Sequence, residues 1–287
     1  MNLRKRWNAF WFVPYPARLL SLFRITLCAL FFFELASNNM VASFLGGNEA
    51  RYFAHGFYAP YVAWFAPPPY PVYLLLTRLL FFFIFTAMIG LFTRASLLFI
   101  LSIFYYLFFL NKFFYLNHFY SYSLALFLCA FMPCGEVGSC DAWIKRLRGG
   151  GRAPETVISW AARLMQVTVS IIYLGSATSK LNPAWISGEA LKIFYEVGTL
   201  QSRGVFRLVA GIPFAWQARG AIATEYFLAF GLWRKKTRFF ALIVGVLFHI
   251  FLNDSMKIGQ FSFQVFVFYL LFLNPLANGR KKISPQS

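Results

Sequence analysis

Lys180, Glu225, His118 and His249 are ionisable side chains set inside, or at the ends of, long apolar runs. An ionisable group in hydrocarbon is costly, so each is a functional hypothesis by default. Lys180 closes the stretch Ser176-Ala177-Thr178-Ser179-Lys180-Leu181. A buried lysine loses its proton readily and can act as a base, whereas one at the edge of a span simply snorkels to the headgroups. Glu225 is well inside its run, in Ala223-Thr224-Glu225-Tyr226-Phe227, where a carboxylate needs a partner. His118 opens an apolar run in Leu116-Asn117-His118-Phe119-Tyr120, and taken alone it reads as an interfacial histidine. His249 sits in the outer half of another run, with Asn253 one turn on, and Glu34 lies near the outer end of the first. Glu34 is read either as an interfacial carboxylate or as part of a site. Arg24 and Arg78 sit deeper and are read as structural groups that snorkel or pair with a carboxylate. Lys180, His118, Glu225 and His249 are on four different runs, and the interior of a helical bundle is where such groups could converge.

Other chemistries find no support. HExxH, GxSxG, P-loop and GxGxxG motifs are all absent from the sequence. The three histidines are widely separated, with no i, i+4 pair, so no metal is expected. Of the four cysteines, Cys28 and Cys129 lie in apolar runs and read as small hydrophobes. Cys134 and Cys140 fall on the side assigned below to the cytoplasm, and no disulfide framework is expected.

The elements that must position these residues follow from composition. The 287 residues are 60% hydrophobic, 21% aromatic and only 13% charged, with 38 Phe. Soluble domains carry about a quarter charged residues, and a soluble chain this apolar would aggregate. A helix needs about twenty apolar residues to cross a bilayer. Eight runs are candidate spans, the shorter ones as the apolar cores of longer helices: Ala17 to Ser37, Val72 to Phe92, Ser96 to Leu110, Phe119 to Cys134, Ser159 to Thr178, Phe206 to Trp233 (broken near Gly211 and Pro213), Phe239 to Leu252 and Gln260 to Leu273. The expected fold is an all-α, polytopic helical bundle in one domain over residues 1–287, with Ala17 to Ser37 kept as a span rather than removed as a signal peptide.

Charge supports that count. Arg4, Lys5 and Arg6, then Arg94, then Lys145, Arg146, Arg148 and Arg152, then Arg234, Lys235, Lys236 and Arg238, then Arg280, Lys281 and Lys282 occupy every second connection. The alternate connections mix Arg51, Lys112, Lys180, Lys192, Arg203, Arg207 and Lys257 with Glu49, Glu189, Glu196 and Asp254. The positive-inside rule puts both termini in the cytoplasm. The net charge of +18 is therefore read as topology signalling and contact with anionic headgroups, and no nucleic acid is expected as a partner. Asn39 to Pro71 and Lys180 to Val205 are long outer connections that could cap the bundle.

With the spans placed, the motifs resemble the vitamin K-dependent γ-carboxylase superfamily, whose bacterial branch is the HTTM domain. Leu116-Asn117-His118 opening a span resembles that family's Asn-His motif, and Ser179-Lys180-Leu181 with Trp185 and Gly188 is similar to its Lys-Lys-Leu…Trp…Gly. Phe248-His249, then Ile258-Gly259 and Phe261-Ser262, resembles its later His…Ile-Gly-x-Phe-Ser stretch, and Glu225 falls at a mid-span acidic position. The resemblance covers about Pro16 to Pro275. It implies that Lys180 is the base that deprotonates a reduced quinone, and that Asn117 and His118 line the same pocket on the extracytoplasmic side. In the carboxylase, oxygen addition, epoxidation and capture of carbon dioxide follow. Two departures weaken the carry-over of protein carboxylation: the first lysine of the Lys-Lys pair is Ser179, and after the last run only about a dozen residues remain where the animal enzyme has a large substrate-gripping domain.

The sequence reading is thus an enzyme acting on a quinone-like or isoprenoid membrane lipid. Lys180 would be the base, His118 and Asn117 would orient the substrate or stabilise an oxyanion, His249 would relay protons, and Glu225 would polarise its neighbours. Trp185, Asn253 and Glu34 complete the expected substrate-binding set. The competing reading is a non-catalytic accessory protein for maturation or export of a peptide partner, its polar groups holding helices together. A transporter ranks last, since no inverted repeat is visible. The expected location is a membrane, a bacterial inner one from the compact form.

Overall fold

The computed structural model describes residues 2–37, 68–110, 116–200, 204–256 and 261–274. Most of the Asn39 to Pro71 connection lies outside the described residues, as do Glu49, Arg51, Lys112, Arg203, Lys257, Ile258 and Gly259. The chain forms two compact units, Met1–Arg163 with Asn274–Ser287, and Leu164–Leu273.

The first unit starts with α1 (Leu3–Trp11), capped by the Asn2 side chain, and β1 (Pro14–Pro16). The long helices α2 (Ala17–Ser37), α3 (Tyr70–Ile89), α4 (Thr93–Leu110) and α5 (Asn117–Phe131) follow. Each packs on the next, and α5 returns to α2. Phe31 of α2 anchors the interior, its ring 5.1 Å from Phe104 of α4 and 5.2 Å from Tyr122 of α5. The short α6 (Cys140–Leu147) leads to β2 (Thr156–Ile158), which pairs antiparallel with β1, Tyr15 opposite Val157. That three-residue ribbon is the one addition among the described residues to the expected all-α fold.

The turn between α3 and α4 shows how local chemistry fixes the helix ends. Gly90 stands at φ +73°, a left-handed conformation that a side chain resists, and its N–H returns to the carbonyls of the α3 C-terminus. Asp141 then caps α4, accepting from the backbone N–H groups of Phe92 and Thr93 and from the Thr93 hydroxyl at 2.7–2.8 Å. Arg24 was expected to snorkel or to meet a carboxylate, and it does neither. It is wholly buried, donating from Nη2 to the Gly138 carbonyl at 2.8 Å and from Nη1 to Thr93. One end of this buried guanidinium is thus held by a loop carbonyl, while its Nε finds no partner among the described residues.

The second unit takes most of α7 (Trp160–Ser179), then α8 (Pro183–Ile186), α9 (Glu189–Glu196), a 3-10 turn (Gly204–Leu208), α10 (Phe214–Gly231), α11 (Arg238–Met256) and α12 (Phe261–Tyr269), which tightens into a 3-10 turn at Leu270–Leu273. Helix α10 packs on α11, α11 on α12, and both α8 and α9 on α10. The expected break before α10 falls at Pro213, which cannot continue a helix. The Gln217 side chain satisfies the carbonyls of Val209 and Ile212 left open there.

Helices occupy all eight expected positions. Four of them, Ala17–Ser37, Tyr70–Ile89, Thr93–Leu110 and Arg238–Met256, are long and apolar enough to cross a membrane. Their outward faces carry exposed Phe33, Phe82, Phe99, Phe239 and Phe240, which suits lipid and not water. Helices α7 and α10, at 20 and 18 residues, have the length but carry the polar groups of the site described next.

Candidate functional site: a lysine–carboxylate pair in an apolar cavity

Helix α7 places Tyr173 and Ser176 three residues apart on one face, and Lys180, the residue that follows the helix, continues that line four residues on. Facing them from α10 is Glu225, buried to 7% exposure. The Lys180 ammonium donates to both carboxylate oxygens of Glu225 at 2.9 Å, and to the hydroxyl and carbonyl of Ser176 at 2.6 and 3.2 Å. Ser176 in turn donates its hydroxyl proton to Glu225 at 2.9 Å, closing a three-membered network across two helices. Thr178 and Tyr226 join their hydroxyls at 3.0 Å beside it.

The chain then turns to cover the pair. Asn182 caps α8 through the Trp185 N–H, and Pro183 supplies its first helical position. This sets the Trp185 ring over the Lys180 ammonium, 5.4 Å from its centroid. Gly188 at φ +84° starts α9, and a Cβ there would strike the backbone of Phe214 and Ala215. Only glycine lets this turn lie on the start of α10.

A cavity of about 630 Å³ opens from the pair. Its wall is apolar over most of its extent: Val169 and Ile172 of α7, Leu191 and Phe194 of α9, Phe248 and Phe251 of α11, and Val265 and Phe268 of α12. A second polar station on the wall is His249, 2% exposed. Its Nε2 meets the Tyr173 hydroxyl at 2.7 Å, and that hydroxyl also meets Tyr269 of α12. His249 Nδ1 is buried with no hydrogen-bond partner among the described residues. The Ser262 hydroxyl holds the His249 carbonyl at 3.0 Å, locking α12 to α11 at this level.

The family model for the HTTM domain matches residues 12–276. The chain belongs to the HTTM domain family. No curated protein matches it, and no solved structure does. The match and the exposed apolar helix faces make this HTTM chain a membrane protein. It spans all the residues described for the cavity, whose lining runs from Val169 to Phe268.

The sequence-predicted residues fall into three groups. Lys180, Glu225, His249 and Trp185 share the cavity of the second unit. His118 and Glu34 meet in the first unit, His118 Nε2 at 3.1 Å from Glu34 Oε1, with Glu34 only 3% exposed. Glu34 is thus a buried partner of a histidine and not an interfacial carboxylate. Asn117, at the first position of α5, is exposed, and Asn253 is half-buried on α11 and does not line the cavity. Sequence reading missed Ser176, Tyr173 and Tyr269. Ser176 and Tyr173 were accessible as a polar stripe four and seven residues before Lys180. Tyr269 carried no such signal.

Proposed function

We propose that this HTTM chain crosses the membrane eight times with both termini cytoplasmic, and that its cavity binds a quinol-like or isoprenoid lipid, from which the Lys180–Glu225 pair removes a proton. The observation that carries this reading is an ion pair set in the wall of a mostly apolar cavity. The volume lies within the roughly 300–1,000 Å³ of small-molecule pockets. Phe248, Phe251 and Phe268 offer ring faces on which an aromatic or isoprenoid guest stacks. The two polar stations hang from Ser176 and Tyr173, one turn apart on α7, or about 4.5 Å along its axis. A ring with oxygens on opposite edges suits that separation, one oxygen at Lys180 and the other at His249.

The chemistry follows from the pair. The Lys180 Nζ donates to both Glu225 carboxylate oxygens and to the Ser176 carbonyl. A lipid entering the cavity displaces water and weakens the preference for separated charges. Lys180 then passes a proton to Glu225 and takes the hydroxyl proton of the guest. The net change is one proton moved from guest to Glu225, with the Lys180 ammonium left against the new oxyanion. Oxygenation, epoxidation or carboxylation of that anion is the reaction class that the family resemblance suggests, on the extracytoplasmic side of a bacterial inner membrane.

A second reading is favoured by one specific observation: all three Lys180 N–H bonds already have protein acceptors. On that reading the pair is a clasp between α7 and α10, and the protein is an accessory factor for a peptide partner. The readings separate in one experiment. Wild type and Lys180→Ala are expressed at matched levels, fed reduced quinones under oxygen, and their lipid extracts compared by untargeted mass spectrometry. A product formed only by wild type is expected, gain of one oxygen indicating epoxidation and gain of carbon dioxide carboxylation. Equal product from a folded Lys180→Ala protein would remove the base assignment.

A further inference from the structure

The first unit holds a second cavity, of about 750 Å³, at the foot of α2. Arg18 of α2, Arg146 of α6 and Arg152 of the loop before β2 line it, together with Gly150, Gly151 and Glu155. Two segments far apart in sequence, the start of α2 and the stretch from Arg146 to Arg152, therefore bring three guanidinium groups to one concavity. Glu155 offsets one of them, 4.0 Å from Arg152, and both are almost fully exposed. Among the described residues no carboxylate lies within ion-pair distance of Arg18 or Arg146. Guanidinium forks match phosphate geometry better than ammonium groups do.

The level of this cavity is set by its neighbours. Pro16 lies in its wall, and the apolar helix Ala17–Ser37 begins at the next residue. Helix α1 carries Arg4, Lys5 and Arg6 beside exposed Leu3, Trp7 and Phe10, an amphipathic composition suited to the bilayer surface. Arg163 ties α1 down, donating to the Phe10 carbonyl at 2.8 Å and lying over the Phe10 ring at 4.7 Å. Exposed Trp160 adds an aromatic of the kind found at membrane–water boundaries. The start of an apolar helix in the cavity wall, in a unit that also carries a basic amphipathic helix and exposed tryptophans, is a setting that suits phosphate headgroups.

We propose that the Arg18–Arg146–Arg152 cavity binds the phosphate headgroup of an anionic phospholipid. Each basic residue near a membrane surface strengthens such binding about fivefold. Loss of all three should then weaken it by at least about tenfold after remaining long-range attraction is allowed for.

The test is native mass spectrometry of the full chain in detergent, titrated with phosphatidylglycerol, phosphatidylcholine or inorganic phosphate. Three proteins are compared: wild type, the triple variant Arg18→Gln/Arg146→Gln/Arg152→Gln, and a charge-matched control Arg234→Gln/Lys235→Gln/Lys236→Gln. All six substituted residues are exposed, so folding should survive, and gel filtration checks this. The expected result is tight phosphatidylglycerol retention by wild type and control, at least tenfold weaker retention by the triple variant, and weak phosphatidylcholine binding throughout. Equal retention by the triple variant, or equal loss in the control, overturns the site. Full displacement of lipid by millimolar inorganic phosphate also overturns it, since a small-anion site would then be present.

Discussion

Removing both partners of the Lys180–Glu225 pair should harm this protein less than the sum of removing each alone. The two groups touch at 2.9 Å, with side-chain exposures of 17% and 7%. At an effective dielectric of about 20 the bare attraction at that distance is about 6 kcal/mol. Desolvation of the two ions offsets several kcal/mol of it, leaving a net coupling of roughly 2–3 kcal/mol. Interhelical hydrogen bonds between neutral side chains in membranes average only about 0.6 kcal/mol and reach about 1.7. A double-mutant cycle therefore distinguishes an ion pair from an ordinary contact. Lys180→Met strands a buried carboxylate and should cost about 3 kcal/mol, the lower end for a broken buried pair because Lys180 keeps some exposure. Glu225→Gln should cost about 2 kcal/mol. The double variant should recover about 2 kcal/mol of their sum, measured as unfolding free energy in mixed micelles. All three should lack turnover if the proton moves as described. A coupling below about 0.5 kcal/mol would refute the reasoning, because the two groups would then be solvated independently.

Two further perturbations follow from the same geometry. Tyr173→Phe deletes the hydroxyl shared by His249 and Tyr269, stranding two buried polar groups, and should destabilise the fold by about 1–3 kcal/mol; an unfolding free energy within about 0.5 kcal/mol of wild type would show that water replaces it. Gly220 borders the cavity with open space where a Cβ would stand, so Gly220→Leu should raise stability by up to about 1 kcal/mol through helix propensity while blocking lipid conversion, and unimpaired conversion would place the guest elsewhere.

What the sequence made legible follows the physics of each element. The positions of the apolar helices could be read because hydrocarbon tolerates little besides apolar side chains over about twenty residues, and Ala17–Ser37, one of four helices able to cross a membrane, has the bounds expected of it. The break before α10 could be read because proline cannot donate the hydrogen bond that a continuing helix needs. Pairings across the chain could not be read. Glu34 and His118 are 84 residues apart, and nothing local in either stretch names the other. The Arg24 partner was hidden for a different reason: a backbone carbonyl, that of Gly138, has no sequence signature as an acceptor. Tyr269 was hidden by abundance, since one hydroxyl in the run Phe266-Val267-Phe268-Tyr269-Leu270 looks like any other aromatic.

The helices that fall short of a plain membrane span are informative for that reason. Lys180 directly follows α7, where the last carbonyls lack helical partners and the helix dipole favours a cation. The Ser176 carbonyl, the Glu225 carboxylate and the Trp185 face all act in the same direction, toward the ammonium. The wall opposite is apolar enough that a bound lipid excludes water from the pair. His249 adds the complementary need: its buried Nδ1 has no partner among the described residues, which costs about 1–3 kcal/mol that a guest oxygen would return. The two stations thus ask for a guest that brings a removable proton to one and a polar atom to the other, and a wholly hydrocarbon lipid would satisfy neither.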